Sequence, residues 1–275
     1  MSKRLGFLGP AGTFTEEAAL LYDSEARLVP LPSVSAVGSA VMSGMVEEGV
    51  VAIENSIEGS VTDTLDLLIH GSDLAIRYEV VLPIRHCLLV LPGAQASDIR
   101  VVYSHPQALA QSRRFLESCF PKAQMEAALS TAAGVEEVKR GDGSVAAVAT
   151  RRAADLYGVQ VLASDIQETM ANVTRFVVLA TEDHAPTGSD RTSLCFYFDD
   201  DRPGILVEVL GEFARRDINL GKIESRPSRD ALGRYIFLVD LFGHREDPPV
   251  SEALAQVRDI TSRLRVFGSY PRFKE

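Results

Sequence analysis

No stretch of this 275-residue chain is apolar for long enough to cross a bilayer. Cysteine is scarce. Cys87, Cys119 and Cys195 are odd in number and far apart, which implies no disulfide framework and a reducing compartment. None stands at metal-ligand spacing from a histidine, so no metal site is expected. Positive charge is in deficit: 28 Lys and Arg against 38 Asp and Glu give a formal net charge of -10. That balance disfavours nucleic acid and anionic membrane, which both need a basic face. Met1-Ser2-Lys3-Arg4 runs straight into the apolar Leu5-Gly6-Phe7-Leu8, without the pattern of a secretory leader. A cytoplasmic protein is the expectation, and the sequon Asn172-Val173-Thr174 is therefore not read as a glycosylation site. Internal repeats and low-complexity tracts are absent.

What is present is a chain long enough for two domains, with the 46% hydrophobic content of an ordinary core-forming protein. To about residue 183, short apolar runs alternate with helical patterns. Strands are expected at Leu5 to Leu8, Val50 to Ile53, Val80 to Leu82, Cys87 to Leu91, Val145 to Ala149 and Val177 to Ala180. Helices are expected at Phe14 to Tyr22, Thr62 to Ile69 and Gln107 to Phe120. This is an α/β pattern. Residues 184–190 are polar, with Pro186 and Gly188, and read as a linker. Beyond it the order strand, helix, strand, strand, helix, strand is the ferredoxin-like unit.

Four loops at strand ends could carry chemistry, because α/β folds place ligands there. Gly9-Pro10-Ala11-Gly12-Thr13 joins the first strand to a helix. Thr13 and Glu16 have capping-box spacing, and the helix N-terminus offers free N–H groups to an anion. The lysine of a nucleotide-binding loop is missing. Glu54-Asn55-Ser56 follows the strand ending at Ile53, with Gly59 beyond. Ser104-His105-Pro106-Gln107 follows Val101-Val102-Tyr103. Asn172-Val173-Thr174-Arg175-Phe176 sets an amide, a hydroxyl and a guanidinium at the mouth of an apolar run. The planar fork of Arg175 suits a carboxylate.

Each loop alone is a weak signal; in this order they resemble the prephenate dehydratase family with a C-terminal ACT domain. The matching stretches are Gly9 to Thr15, Glu54-Asn55-Ser56 with Gly59, Ser104 to Leu109, and Thr174-Arg175-Phe176. Glu224-Ser225-Arg226-Pro227 matches the family's phenylalanine-site motif. The resemblance covers essentially the whole chain. Two departures stand out. Ser112 occupies a position that is Cys in some members, and Gly204-Ile205-Leu206 replaces the common Gly-Ala-Leu, which bears on effector affinity.

The resemblance implies a two-lobed catalytic domain over 1–183, like type 2 periplasmic-binding-protein lobes, with the second lobe at about 80–160 and an ACT domain over 191–275. The chain is expected to cross between lobes near 76–80. It further implies decarboxylating dehydration of prephenate to phenylpyruvate, without cofactor, under control by phenylalanine. Alternatives are arogenate dehydratase and a non-catalytic amino-acid sensor. Thr174 is the implied hydrogen-bond donor to the leaving hydroxyl, with Glu54, Asn55, Ser104 and Gln107 as further catalytic residues. Thr13, Ser56, Arg175 and Phe176 are implied in substrate binding, with Arg175 holding the pyruvyl carboxylate. Gly204, Ile205, Leu206, Glu224, Ser225, Arg226 and Pro227 are implied around the effector, beside a loop beginning at Asp201. A ferredoxin-like unit leaves a sheet face and an edge to cover, so a homodimer or homotetramer is expected.

Overall fold

Apolar strands of the first 180 residues sort into two sheets, and the chain completes most of the first before entering the second. A computed structural model describes residues 2–200, 202–228 and 234–273. The chain opens with β1 (Arg4–Leu8), α1 (Phe14–Tyr22), β2 (Arg27–Leu31), α2 (Val34–Met42), β3 (Glu48–Asn55), β4 (Gly59–Ser60), α3 (Thr62–Asp66) and β5 (Ala75–Pro83). It then builds a second lobe from β6 (Cys87–Val90), β7 (Val101–Ser104), α4 (Pro106–Gln111), α5 (Arg113–Cys119), β8 (Gln124–Ala127), α6 (Thr131–Arg140), β9 (Val145–Ala149), α7 (Arg151–Tyr157) and β10 (Gln160–Ala163). β11 (Val173–Ala180) returns to the first sheet and inserts antiparallel between β3 and β5, giving the order β2-β1-β3-β11-β5. The second sheet runs β10-β6-β9-β7-β8.

The crossings lie later than expected. β5 stays in the first sheet to Pro83, so the chain leaves at 84–86 rather than 76–80. It returns through 164–172, after β10. The expected helix from Gln107 to Phe120 breaks at buried Ser112, whose backbone (φ -112, ψ 8) lies off the helical region. Thr13 is the N-cap of α1, but no reciprocal capping box forms. Its hydroxyl donates to the Pro10 carbonyl (3.0 Å), and Glu16 instead accepts from Gly12 N–H (2.6 Å). β2, α2 and α6 had no sequence assignment; β2 carries Pro30, which obscures its pattern.

The C-terminal unit comprises β12 (Asp190–Tyr197), α8 (Ile205–Ala214), β13 (Leu220–Pro227), β14 (Tyr235–Phe242), α9 (Pro248–Ile260) and β15 (Arg263–Pro271), with sheet order β13-β14-β12-β15. This is the expected ferredoxin-like order. One face carries both helices over a core of Phe196, Val209, Phe213, Val239 and Val257. The other face is not open. Cys195, Ile236, Leu238, Phe267 and Tyr270 share a single core with Leu68, Ile76, Val177 and Leu179 of the first lobe. The chain therefore covers that face itself, contrary to the expectation that a second copy must. Gly268 marks how close the two layers come: a Cβ there would lie 2.3 Å from the Ile76 carbonyl oxygen.

Candidate active site

Thr174 and Asn55 face one another as register partners on β11 and β3. Both line a cavity of about 890 Å³ that Gln107, Gln111 and Ala133 border from the second lobe. Strand alternation sends Arg175 to the opposite face and returns Phe176 to the cavity. On β3 a bulge intervenes. Arg175 pairs with Glu54, but Phe176 pairs with Ala52, so Ile53 is an extra residue. Strict alternation from Ala52, which lines the cavity, would turn Glu54 inward and Asn55 outward. The bulge reverses this assignment.

The Asn55 amide is oriented by backbone. Its Oδ1 accepts from the N–H groups of Ile57 (3.0 Å) and Glu58 (3.1 Å). Its Nδ2 therefore donates to Thr174 Oγ1 and to Asn172 Oδ1, each at 2.8 Å. Thr174 is thus an acceptor toward Asn55. Its own proton has no protein acceptor among the described residues and is free for a molecule in the cavity. The network continues across the lobes. Asn172 Nδ2 donates to Gln111 Oε1 (2.9 Å), and His86 Nε2 lies 3.0 Å from the same oxygen. Accepting twice, Gln111 keeps its NH₂ for the cavity it lines. In this arrangement His86 carries its proton on Nε2. Burial pushes its pKa down, partly offset by Gln111, which keeps the ring neutral.

No arginine or lysine lines this cavity among the described residues. Partial positive charge is offered by backbone instead, in a lining that also includes Glu58. Thr13, Phe14 and Thr15 bring the start of α1 to one side, and Ser130 and Thr131 bring the start of α6 to the other. Unpaired first-turn N–H groups and the helix dipoles favour an anion there. Phe14, Ile84 and Phe176 supply apolar wall.

Several expected residues lie elsewhere. Arg175 is not a cavity residue. Its guanidinium is buried against the C-terminal unit and held by Asp240 (2.7 Å), Glu54 (3.0 Å) and Glu79 (3.4 Å). Burial opposes its charge, but Asp240, Tyr270, Glu79 and Glu54 more than compensate and raise its pKa. Glu54 also pairs with Lys222 (3.2 Å), so it faces away from the cavity. Ser104 is fully buried and donates to the Val148 carbonyl (2.6 Å), leaving it no role at the cavity surface. Ser56 braces the return crossing: it donates to the Ala171 carbonyl and accepts from Val173 N–H. Thr13, Asn55, Gln107, Thr174 and Phe176 do come together. Asn172, whose amide the sequence placed at the strand mouth, joins them, whereas sequence reasoning missed Gln111 and His86. A usable signal existed for one of them, since Gln111 stands four residues after Gln107 and so shares its helix face.

The profile of the prephenate dehydratase family matches residues 5–184, and that of the ACT domain matches 200–259. The chain belongs to the prephenate dehydratase family. A prephenate dehydratase of Mycolicibacterium vanbaalenii is 40% identical, over 97% of this chain and 90% of its own. A bifunctional chorismate mutase/prephenate dehydratase of Aquifex aeolicus is 41% identical, over 98% of this chain and 74% of its own. The structure of prephenate dehydratase from Arthrobacter aurescens in complex with L-Phe superposes with a TM-score of 0.90 at 37% identity, covering 98% of this chain and 90% of that one. GqqA, described as a novel type of quorum quenching acylase, superposes with a TM-score of 0.89 at 29% identity over 98% of each chain.

The residues that the family motif assigns to the effector point in different directions within one chain. Gly204 caps α8 in a left-handed conformation (φ 89) with open space beyond its Cα. Ile205 is buried in the helix-side core and Leu206 packs against it. On β13, Glu224 and Arg226 turn to the catalytic side, where they meet Ser60 and Asp66 (2.5 Å for Arg226). Ser225 and Pro227 are exposed on the opposite face. Asp201 lies outside the described residues. No helix of the described residues is long and apolar enough to cross a membrane, and no group of three or more His, Cys, Asp or Glu among them is placed to hold a metal.

Proposed function

We propose that the chain converts prephenate to phenylpyruvate and is regulated by L-phenylalanine through its C-terminal unit. The observation that carries this reading is the Thr174 hydroxyl, turned by Asn55 so that its proton faces the cavity. Loss of carbon dioxide leaves an electron pair that forms a ring double bond as the opposite carbon–oxygen bond breaks. The departing hydroxide takes up a proton and leaves as water. Thr174 donates a hydrogen bond to that oxygen as its charge develops, and Gln111 and Gln107 offer amide donors from the facing lobe. The starts of α1 and α6 hold carboxylate, and the aromatic wall receives the ring. Weak, dipolar binding of carboxylate suits the reaction, because a strong grip on the departing group would stabilise the ground state.

We assign 1–183 to the catalytic domain, with its second lobe at about 87–163, 184–190 to a linker and 191–275 to the regulatory domain, working in the cytoplasm as a homodimer or homotetramer. A hydrolytic role like that named for GqqA finds no support at this cavity. Among the described residues no hydroxyl or thiol is hydrogen-bonded to a histidine there, so no nucleophile–base pair exists. Arogenate differs from prephenate only in the side chain that meets the helix termini, and assaying both substrates separates them. Product formation separates either enzyme from a binding-only sensor. Thr174→Val keeps side-chain volume and removes the donor; turnover should fall roughly 10²-fold or more, with Thr174→Ser retaining part of it. Near-normal turnover in folded Thr174→Val would remove Thr174 from the mechanism.

A further inference from the structure

Behind Thr174, on the face of β11 turned from the cavity, lies a cluster of buried charge shared by two domains. Arg175 meets Asp240 of β14 and Glu54 of β3 through one guanidinium nitrogen, and Glu79 of β5 and the Tyr270 hydroxyl of β15 (3.4 Å each) through the other. Arg191 of β12 adds contacts to Glu79 (3.2 Å) and Asp240 (3.7 Å). Asp240 is itself fixed, because its second oxygen accepts from Ser193 (2.5 Å), which also bonds the Tyr270 hydroxyl (2.6 Å). Arg175, Arg191 and Lys222 face Glu54, Glu79, Asp240 and Glu224, and each sign of charge draws on both domains.

We propose that Arg175 is a positioning residue for Thr174 whose counter-ion, Asp240, is supplied by the regulatory domain. This rests on the reading of Thr174 and phenylalanine given above. Thr174 and Arg175 share a peptide unit, so the place of the guanidinium constrains the place of the hydroxyl. A buried cation cannot give up its anion without a large cost, so Arg175 follows Asp240 when β14 shifts. A second link runs parallel. Glu224 and Lys222 of β13 both hydrogen-bond Ser60, which lines the cavity, and Lys222 also holds Glu54. The strand carrying the effector motif thus has its inward side chains tied to the substrate site. A change at the effector site that moves β13 and β14 against the first sheet reaches Thr174 through these contacts, in either direction.

The test uses the full chain. Asp240→Asn keeps shape and the bond from Ser193 while removing the charge, and Arg175 retains Glu54 and Glu79, so the protein folds. Asp183→Asn is the comparison: it breaks a different contact between the domains, Asp183 to Arg245 (2.9 Å) and to Ser269 N–H (2.9 Å). Amide exchange over residues 172–177 reads positioning without substrate or effector. It should be about tenfold faster in Asp240→Asn and unchanged in Asp183→Asn. Turnover of Asp240→Asn without phenylalanine should fall, with kcat lowered more than KM is changed, while the phenylalanine concentration for half inhibition rises about tenfold. Unchanged exchange at 172–177 in Asp240→Asn overturns the proposal whatever the activity. Equal loss of phenylalanine response in both variants also overturns it, because that is general loosening of the interface. A parent protein that does not turn over prephenate refutes the functional reading instead, and the exchange result still decides the positioning role.

Discussion

One asparagine decides where the Thr174 proton points. Asn55 can only donate toward Thr174, because its oxygen is taken by two backbone N–H groups. Asn55→Asp replaces the donor by an acceptor that would capture the Thr174 proton. Steady-state turnover should fall by at least about 10²-fold, more than KM changes; turnover near the parent value would show that Asn55 does not orient the hydroxyl. His86 gives a second prediction at this scale. Its pKa lies below the ordinary value, chiefly through burial, so the unfolded chain binds a proton more readily than the folded one. Stability then rises with pH in that window: it is fully present above the unfolded pKa of about 6.5 and is lost as pH falls toward the folded value. His86→Gln should flatten this part of the stability curve measured by urea unfolding between pH 5 and 8. An unchanged slope would mean that His86 is not held neutral. Thr174, Asn55 and Gln107 were legible because polar residues at strand ends point to a cleft. Of the partners that orient them, Asn172 was legible at the same strand mouth, but His86 was not, because it sits in a crossing, where no periodicity marks a facing.

At the scale of elements, the β3 bulge sets the roles of three residues. A continuous apolar run such as Val50-Val51-Ala52-Ile53 hides its register, since buried strands lose the alternation that would betray a slip. Glu54 therefore read as a cavity residue beside Asn55, and Arg175 as a clamp. The pairing Arg175–Glu54 shows both on the far face. Most strands were readable from composition, though β2, β8 and β10 were not, and the ferredoxin-like order was readable from its switch between periods of two and 3.6. The contact of β15 with β5 was not, because nothing local in Gly268 distinguishes a close approach from a turn. Gly268 has φ 147, and a Cβ would meet backbone rather than a flexible side chain. Gly268→Ala should cost about 2–4 kcal/mol in denaturant unfolding, from overpacking and backbone strain together. A loss under about 0.5 kcal/mol, the size of a neutral surface change, would mean the two layers part easily.

For the whole molecule, the shared core changes what the regulatory domain can do alone. Tyr270, Phe267 and Leu238 complete the same core as Ile76 and Leu68, so the sheet face that a ferredoxin-like unit must bury is buried within the chain. Removing residues after 185 would expose that face and leave Arg175 without Asp240. The truncated protein should lack a phenylalanine response and also melt several degrees lower, as expected for losing a few kcal/mol of burial. The self-association proposed above can use the edge of β13, where Ile223 is 48% exposed. The same edge carries Ser225 and Pro227, while Gly204 opens onto empty space at the start of α8. A second copy paired at this edge can bring one chain's Gly204 to the other's β13. Ile223→Lys places a charge where an edge strand would pair. Light scattering should show a smaller species than the parent. Phenylalanine inhibition should weaken by about tenfold, the size of a typical coupling, with turnover in its absence within about threefold. Full inhibition by phenylalanine in a protein shown to be monomeric would place the effector within one chain and refute the shared pocket.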